Sequence, residues 1–500
     1  MKKGAGREET RGGFLARTVV GGTGLLAAAG GVSKLLTLVS APILTAALGP
    51  SPYGVVALLS TVTALAMTAG LLGVDQSYAR FFFAGGSDES QAVERFCWRF
   101  SLLASLCVAT AAGTGWWWWS GRAGLSPSLA VMVVAGTLLG VLSVMATTRR
   151  RLLGGYLRIA VSMVVTGAVG ALLAILLALY WRKDAWSLLV GSAAGVAAGA
   201  WVAGLPGAKT VLVPSGLSRL HRRDILRLGA AGAVTAPVFW LMGSADRWII
   251  AYVRSSAELG VYAFASTVGM VGIMLNSAIT LTWFPEMTRE YESAGAESFP
   301  RIGVLWARLA SGLMVAWIAV SAAGGDVIRL IADPRFHGGT MVVPWIAGGI
   351  FFYGISSLAN TGLVLKKDLT PSIGWWVAGA LLNLGMNLLL VPPLGGTGAA
   401  MATCASYGLI AAGVMRAAQA RFFLPVPWKV LGASAAVSLA AGMVMIPPWS
   451  GNPALSLILK FPAGVAASAA VLRISAPEWF SLEKAGECAA WIRDRFGGFR

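Results

Sequence analysis

The sequence predicts an all-α polytopic membrane protein with about 14 transmembrane helices. Apolar residues make up 57% of the 500 residues and charged residues only 12%, whereas soluble domains carry about 25% charged residues. Apolar stretches of roughly 20 residues, the length that crosses the hydrocarbon core of a bilayer, recur along the whole chain. The pattern argues against a soluble enzyme and a nucleic-acid-binding protein, and it lacks the alternating segments of about 10 residues that build a porin.

Fourteen apolar stretches are predicted to span the membrane, and the loops between them are too short for a second soluble domain. The first stretch is longer than the roughly 7–15 apolar residues of a signal peptide, so it is predicted to be a span and not a cleaved leader. The predicted spans are 18–47, 53–74, 96–119, 127–148, 156–180, 185–206, 227–252, 258–283, 303–323, 341–365, 371–391, 396–415, 428–447 and 453–474.

The distribution of basic residues predicts the orientation of these spans. With the N-terminus placed in the cytoplasm, 30 Lys and Arg residues fall in inner segments, 6 fall in outer segments and 3 fall within spans. Cytoplasmic loops of membrane proteins are enriched in Lys and Arg. Both termini are therefore predicted to be cytoplasmic, in a multi-pass protein of the cell inner (plasma) membrane.

An internal repeat predicts two lobes. Residues 53–62 align with residues 259–268 at an offset of 206, with six of ten positions identical. Each copy starts the second helix of a six-span block, and blocks with an even number of spans enter the membrane from the same side, as parallel repeats do. The predicted domains are a basic cytoplasmic N-tail (1–17), an N-lobe of spans 1–6 (18–206), a basic cytoplasmic linker (207–226), a C-lobe of spans 7–12 (227–417), spans 13 and 14 (418–475) and an amphipathic cytoplasmic tail (476–500).

Motifs at the junctions between spans resemble those of a known transporter family. The motifs are Pro42–Pro50 followed by Tyr53-Gly54, Asp246-Arg247 followed by Glu258–Phe264, and Asn383 with Asn387 followed by Pro392–Ala400. They resemble the polysaccharide-exporter family, the O-antigen (Wzx-like) flippases of the multidrug/oligosaccharidyl-lipid/polysaccharide (MOP) superfamily. The resemblance extends over nearly the whole chain, and the Asp-Arg pair with the Glu-Leu-Gly-Val-Tyr segment is its most specific part.

The resemblance implies a fold and a function. It implies two six-helix lobes around a central cavity that work by alternating access. It also implies that a polyprenyl-diphosphate-linked oligosaccharide moves from the inner to the outer leaflet, for the synthesis of O-antigen, capsule or exopolysaccharide. Membrane lipids are expected partners, polysaccharide polymerases and glycosyltransferases are candidate partners, and no nucleic acid is expected.

Three other functions stay open at the level of sequence. A flippase for peptidoglycan lipid precursors and a cation-coupled drug antiporter belong to the same superfamily. An antiporter cavity for cationic drugs favours acidic residues, whereas the charges placed at depth here are Lys34 and Arg247 against Asp246. A membrane glycan polymerase or ligase would favour a large outer loop with catalytic residues, and the predicted outer loops are short.

Charged residues inside predicted spans are the first candidates for function, because each costs about 2.5–3.5 kcal/mol at the membrane centre. Lys34 lies deep in span 1 and is predicted to face a water-filled cavity or to pair with a carboxylate. Asp246 and Arg247 lie about 9 Å from the outer end of span 7. Adjacent helical residues point about 100° apart, so the two side chains need other partners, and they are predicted to gate the transporter, to join the lobes or to contact the ligand.

Further candidates are basic residues near the ends of spans and polar residues inside spans. Arg80 and Arg99 flank the inner ends of spans 2 and 3 and either attract a diphosphate or anchor the protein to anionic headgroups. Polar side chains inside spans either bond neighbouring helices or recognise sugars. The residues predicted for the substrate cavity are Lys34, Arg80, Arg99, Asn276, Arg308, Asn383 and Asn387. Lys460, near the outer end of span 14, is predicted to extend outward to the membrane surface.

No catalytic residue, metal site or cofactor is predicted. The sequence has no GxxxxGK[ST] phosphate-binding loop, so hydrolysis of ATP by this chain is not expected. The four cysteines form no CxxC pair and are interpreted as apolar fillers. Trp116–Trp119 are interpreted as part of an aromatic belt at the outer interface.

Overall fold

The computed structural model describes residues 5–84, 86–207, 210, 213, 216–233 and 236–477, and in these ranges the chain is helical without a strand. The amphipathic tail predicted for 476–500 lies almost wholly outside the described residues. The α-helices are α1 (Ala5–Leu48), α2 (Pro50–Leu71), α3 (Val74–Phe81), α4 (Ser87–Arg122), α5 (Ala130–Leu152), α6 (Tyr156–Tyr180), α7 (Ala185–Ala203), α8 (Arg219–Ala233), α9 (Ala236–Val253), α10 (Ser256–Gly269), α11 (Ile273–Ala294), α12 (Phe299–Ile331), α13 (Val342–Leu365), α14 (Thr370–Arg421), α15 (Trp428–Met445) and α16 (Pro453–Ser475).

Eleven helices of the described ranges are long and apolar enough to cross a membrane, which confirms a polytopic all-α membrane protein. One of them, α14, has 52 residues and contains two predicted spans, 11 and 12. Gly395 interrupts its helical backbone with φ 57° and ψ −136°, two residues after the Pro392-Pro393 pair. Predicted spans 7 and 8 correspond to α9 and to α10 with α11, which are helical but are not among the eleven.

Two segments differ from the predicted span boundaries. Residues 219–233 form a separate helix, α8, which takes up the end of the predicted linker and the start of predicted span 7. The segment after span 2 contains the short helix α3, onto which α8 packs. Ser77 donates a hydrogen bond to the carbonyl of Ile225 at 2.8 Å. Gly73 and Gly229 bring the two backbones into contact, since a Cβ at Gly73 would lie 2.3 Å from the Gly229 carbonyl oxygen.

The described chain divides into two compact units, Met1–Ala263 with Ile331–Asp333, and Phe264–Leu330 with Pro334–Arg500. In the first unit, α6 and α7 pack through small residues. A Cβ at Gly195 would lie 2.4 Å from the carbonyl oxygen of Thr166, and a Cβ at Gly199 would lie 1.9 Å from the Thr166 hydroxyl oxygen. Such contacts let two helices approach closely where lipid offers no hydrophobic driving force.

The second unit has a core around α11, α12 and α13 and contains a buried ion pair. The core includes Trp283, Met287 and Trp306, each at most 2% exposed. Lys460 on α16 places its Nζ 2.6 Å from the Oδ2 atom of Asp326 on α12, and both residues are buried. Lys460 therefore does not extend outward, and the expectation that it would was wrong, because a carboxylate 134 residues away in sequence provides a partner inside the protein.

Removing Lys460 should destabilise the protein strongly. Lys460→Met leaves the Asp326 carboxylate buried without its principal cation, a loss of roughly 3–5 kcal/mol. The double variant Lys460→Met/Asp326→Asn should regain much of that stability, because it leaves no uncompensated charge. The midpoint of thermal unfolding in detergent measures both effects. Lys429→Met, at an exposed position near the start of α15, is the control, and an equal loss in that variant would contradict the argument.

Candidate functional site

The helices α2 and α10 meet at two glycines that are equivalent in the internal repeat. Gly54 and Gly260 are separated by the repeat offset of 206. A Cβ at Gly54 would lie 1.8 Å from the carbonyl oxygen of Ser256, and a Cβ at Gly260 would lie 1.8 Å from the carbonyl oxygen of Pro50. Pro50 and Ser256 are themselves 206 residues apart. Equivalent residues of the two copies therefore face each other, and the contact has the symmetry that the repeat predicts.

The same contact includes a direct bond between side chains. The hydroxyl oxygens of Ser51 and Ser256 lie 2.9 Å apart. Only glycine fits at Gly54 and Gly260, because any side chain would overlap backbone atoms of the opposite helix. The first turn of α2 and the first turns of α10 are thus held in backbone contact.

Asp246 is buried and bonds α9 to α10. It is 6% exposed, and its Oδ2 accepts a hydrogen bond from the hydroxyl of Tyr262. Its Oδ1 accepts from the backbone N–H of Arg247 at 2.7 Å. A buried carboxylate without such donors would be costly at membrane depth, so Tyr262 is part of the reason that Asp246 is tolerated there.

Arg247 points to a different helix from its neighbour. Its Nη1 donates to the hydroxyl oxygen of Ser60 on α2 at 3.3 Å. The two charged side chains therefore have separate partners on α10 and α2, as their 100° separation on the helix predicts. The pair connects predicted span 7 with both of the helices that carry the repeat motif.

Two tryptophans of α9 complete the junction with α2. The indole N–H of Trp240 donates to the carbonyl oxygen of Thr61, and that of Trp248 donates to the Thr61 hydroxyl, each at 2.9 Å. The Trp248 ring packs against Trp119 of α4 with centroids 5.0 Å apart. These two residues were not predicted from the sequence, because composition does not distinguish a tryptophan that bonds a neighbouring helix from one that only fills space in an apolar span. The available signal was their spacing of eight residues, which places both near one face of a helix.

The four tryptophans at the end of α4 do not act as one belt. Trp117 and Trp118 are 60% and 58% exposed, as an interfacial belt requires. Trp116 is 2% exposed, and Trp119 packs on Trp248. The helical repeat of 3.6 residues turns two of the four rings inward.

A cavity of about 620 Å³ lies between α2 and α9, next to this junction. Its polar side chains include Asp75, Gln76 and Ser244. The complete lining is Ala64, Met67, Thr68, Leu71, Gly73, Asp75, Gln76, Val144, Ala233, Ala236, Phe239, Trp240 and Ser244. The cavity therefore combines an apolar wall with a polar end at the start of α3.

The predicted cations of the first unit lie apart from the lining of this cavity. Lys34 is exposed on α1 and forms no hydrogen bond or ion pair with any described residue. Arg80 is exposed at the end of α3, 6.0 Å from the ring of Phe81. Arg99 is exposed on α4. All three side chains are open to an anionic group, and none of them lines this cavity.

The predicted site residues of the second unit are less accessible. Asn383 and Asn387 are fully buried, and Asn387 donates from its Nδ2 to the carbonyl oxygen of Asn383 at 2.8 Å and to its Oδ1 at 3.1 Å. Asn276 is 2% exposed, and a Cβ at Gly354 on α13 would lie 3.0 Å from its Oδ1. Arg308 is half-buried on α12. In the described ranges no group of three or more His, Cys, Asp or Glu residues is placed to hold a metal.

Comparison with known proteins identifies the family. The sequence pattern of the family described as polysaccharide biosynthesis protein matches residues 19–290, which is more than half of the chain. This protein belongs to that family, and the resemblance drawn from the motifs is confirmed. A search of curated protein sequences gives no match.

Solved transporter structures share the fold. A lipid II flippase MurJ in an inward closed conformation matches with a TM-score of 0.72 at 12% identity, over 91% of this chain and 100% of that chain. An inward-facing multidrug resistance MATE family transporter of the MOP superfamily matches with a TM-score of 0.57 at 13% identity, over 78% and 94%. A MATE protein in complex with MaL6 matches with a TM-score of 0.56 at 14% identity, over 81% and 96%. The chain has the fold of these transporters.

A side chain at Gly54 should open the contact between α2 and α10. Overpacking costs roughly 1–3 kcal/mol, so Gly54→Leu should lower the fraction of molecules with the two helices in contact about tenfold. The measurement is disulfide formation between cysteines placed at Ser51 and Ser256, in a background without the four native cysteines. The matched control is Gly243→Leu on α9, where a Cβ meets nothing within 4 Å. Undiminished cross-linking in Gly54→Leu would show that the contact yields without opening.

Loss of the Arg247–Ser60 bond should loosen the junction of α9 with α2, and the effect should be smaller than that of Gly54→Leu. Hydrogen bonds between membrane helices contribute about 0.6 kcal/mol on average. Arg247→Gln and Ser60→Ala should therefore each raise, about threefold, the rate at which a thiol reagent labels a cysteine placed at Ser244. The double variant should label like either single one, because the two residues share one interaction. Arg182→Gln, at an exposed position outside this junction, is the control. Unchanged labelling together with lost substrate binding would make Arg247 a ligand residue instead.

Proposed function

We propose that this protein is a flippase that moves a polyprenyl-diphosphate-linked oligosaccharide across the cell inner membrane by alternating access, for surface polysaccharide biosynthesis. The observation that carries the proposal is the match of a polysaccharide biosynthesis family to a chain with a transporter fold. Lipid-linked oligosaccharides are the membrane-embedded intermediates of such pathways, and they need a transporter to change leaflets. The proposal gives the fold a substrate that belongs to the process the family description names, polysaccharide biosynthesis.

The substrate sets physical demands that the described residues can meet. A charged, hydrated headgroup must cross about 30 Å of hydrocarbon, and it needs polar surroundings along the way. The cavity between α2 and α9 provides space and a polar end. Lys34 is an exposed cation on a predicted span, and we propose that it meets the diphosphate, since an exposed ammonium at membrane depth is otherwise costly.

Alternating access requires a barrier that forms on one side and then opens. We propose that the Gly54–Gly260 contact and the Arg247–Ser60 bond form such a barrier. The first is a backbone contact at two glycines. The second, at 3.3 Å, is one of the hydrogen bonds between α9 and α2, beside those of Trp240 and Trp248. Bonds between membrane helices average about 0.6 kcal/mol, so the barrier can open at a modest cost. With both termini in the cytoplasm, as the basic residues predict, this barrier faces the outer side.

Two observations favour other substrates. The similarity to a lipid II flippase supports transport of a peptidoglycan precursor, whose lipid-linked diphosphate would fit the same chemistry. The Asp75 carboxylate in the cavity lining supports a cationic ligand, as in a drug antiporter. The family match favours the polysaccharide intermediate over both. Polysaccharide polymerases and glycosyltransferases would then use the product and supply the substrate.

The test is the lipid intermediate that accumulates when the protein is removed. Depletion in the native host should cause a lipid-linked oligosaccharide to build up in the inner leaflet and surface polysaccharide to fall. The wild-type chain should reverse both changes, and so should Lys34→Arg, which keeps the charge. Lys34→Gln should reverse them only weakly. Lys183→Gln, an exposed loop variant, is the matched control.

The same extraction separates the alternatives. Accumulation of a peptidoglycan precursor in place of the oligosaccharide would identify the second kind of flippase. Accumulation of neither lipid, with surface polysaccharide at its normal level, would refute the flippase proposal. Full function of Lys34→Gln at normal protein level would show that Lys34 does not contact the substrate. It would not contradict the flippase function.

A further inference from the structure

An apolar groove of about 460 Å³ lies among α2, α4 and α9, on the other side of α2 from the cavity. Among the described residues, none of those lining the groove is charged. Its floor is built from small side chains, including Ala66, Ala111 and Gly115, and its walls include four tryptophans. A groove of this chemistry accepts a hydrocarbon chain, because a sugar hydroxyl placed there would lose its hydrogen bonds.

The polar edges of three of these tryptophans are already used. Trp240 and Trp248 donate their indole N–H groups to Thr61 at 2.9 Å. Trp116 donates its N–H to the carbonyl oxygen of Ser126 at 3.4 Å. These bonds hold the rings in fixed orientations and leave no free donor on them. The rings thus add carbon surface to the groove and not hydrogen-bonding capacity.

The groove and the cavity lie on opposite faces of one helix. Val62, Leu65, Ala66 and Ala69 line the groove at the spacing i, i+3, i+4 and i+7, which marks one face of a helix. Four other α2 residues line the cavity at the same spacing, on the opposite face: Ala64, Met67, Thr68 and Leu71. Any molecule occupying both must therefore pass the edge of α2.

Trp240 stands at that edge. It is the one described residue that lines both the cavity and the groove. Its bond to the Thr61 carbonyl places the ring across the junction of α9 with α2. The groove continues from there along α4 between Val108 and Trp119, roughly 16 Å at 1.5 Å per residue. A headgroup in the cavity and a chain in the groove would belong to one amphipathic molecule that extends past Trp240.

We propose that the groove binds the polyprenyl chain of the transported lipid, with Trp240 as the residue that separates the chain from the headgroup cavity. This inference rests on the proposed function and assigns the lipid tail a place in it. Bilayer hydrocarbon is as apolar as the groove, so burial alone gives no preference for any lipid. Attachment to a headgroup held in the cavity raises the effective concentration of its own tail at the groove. A branched, partly unsaturated isoprenoid also loses less conformational freedom in a fixed site than a saturated acyl chain does.

Photolabelling tests the site without transport and without a sugar. The full chain in nanodiscs is irradiated with polyprenyl phosphate carrying a diazirine in its isoprenoid chain, and the labelled peptides are mapped by mass spectrometry. Label should concentrate on the groove faces of α2 and α4, and unlabelled polyprenyl phosphate should displace it. Trp240→Ala should redistribute the label toward cavity residues such as Met67, whereas Trp240→Phe, which keeps a ring, should do so less.

A matched pair of variants fills the groove or leaves it open. Gly115→Leu places a side chain in the groove at a position where a Cβ meets nothing within 4 Å. It should reduce labelling roughly fivefold, because the leucine side chain occupies the space in which the polyprenyl chain would make its dispersion contacts. Thr114→Leu introduces the same side chain one residue away, at an exposed position outside the groove lining. It should leave labelling unchanged, and both variants should unfold at the wild-type temperature.

Two results would overturn the assignment. In one, labelling is the same in Gly115→Leu as in the wild type. In the other, a diazirine phosphatidylethanolamine labels the groove equally and polyprenyl phosphate does not displace it, which would make the occupant an ordinary bilayer lipid. Neither result depends on the accumulation experiment. The groove assignment can therefore be refuted while the proposed flippase function is retained. If the groove is labelled but depletion accumulates no oligosaccharide, the groove binds an isoprenoid chain and the protein has a function other than the proposed one.

Discussion

Two helices inside a bilayer gain almost nothing by hiding apolar side chains against each other, because the lipid chains around them are equally apolar. Their association then depends on close backbone approach and on the few polar groups that find partners. The described packing follows this constraint at Gly195 and Gly199 between α6 and α7, and at Gly54 and Gly260 between α2 and α10. Some of the 63 glycines among the 500 residues lie at such contacts.

Charged side chains within the spans are few, and several of them determine which helices are joined. Asp246 connects α9 to α10 through Tyr262, and Arg247 connects α9 to α2 through Ser60. Lys460 and Asp326 fix α16 to α12 in the same way. The buried ion pair is costly to break, whereas the single bond of Arg247 is cheap. The first suits a permanent attachment and the second suits a contact that opens and closes.

The junction of α2 with α9 brings these properties together. On one face of α2 lies a cavity with a polar end, and on the opposite face lies an apolar groove. Trp240 stands between them and is held by the backbone of Thr61. A lipid with a large polar headgroup has the same two-part chemistry. The separation of polar and apolar space around one helix therefore gives a physical basis for handling such a lipid, in a family devoted to polysaccharide biosynthesis.

The sequence by itself determined the membrane class, most of the spans and the repeat, because these follow from local composition and from residues a fixed distance apart. Gly54 and Gly260 belong to the aligned copies, although nothing in the alignment revealed that they touch. Tertiary structure alone decided the partners of Lys460, Asp246 and Trp240. In an apolar helix, composition does not show which face meets a neighbour, and the partner of Lys460 lies 134 residues away. Which charges are paired, and where the open space lies, is therefore settled only when the helices pack.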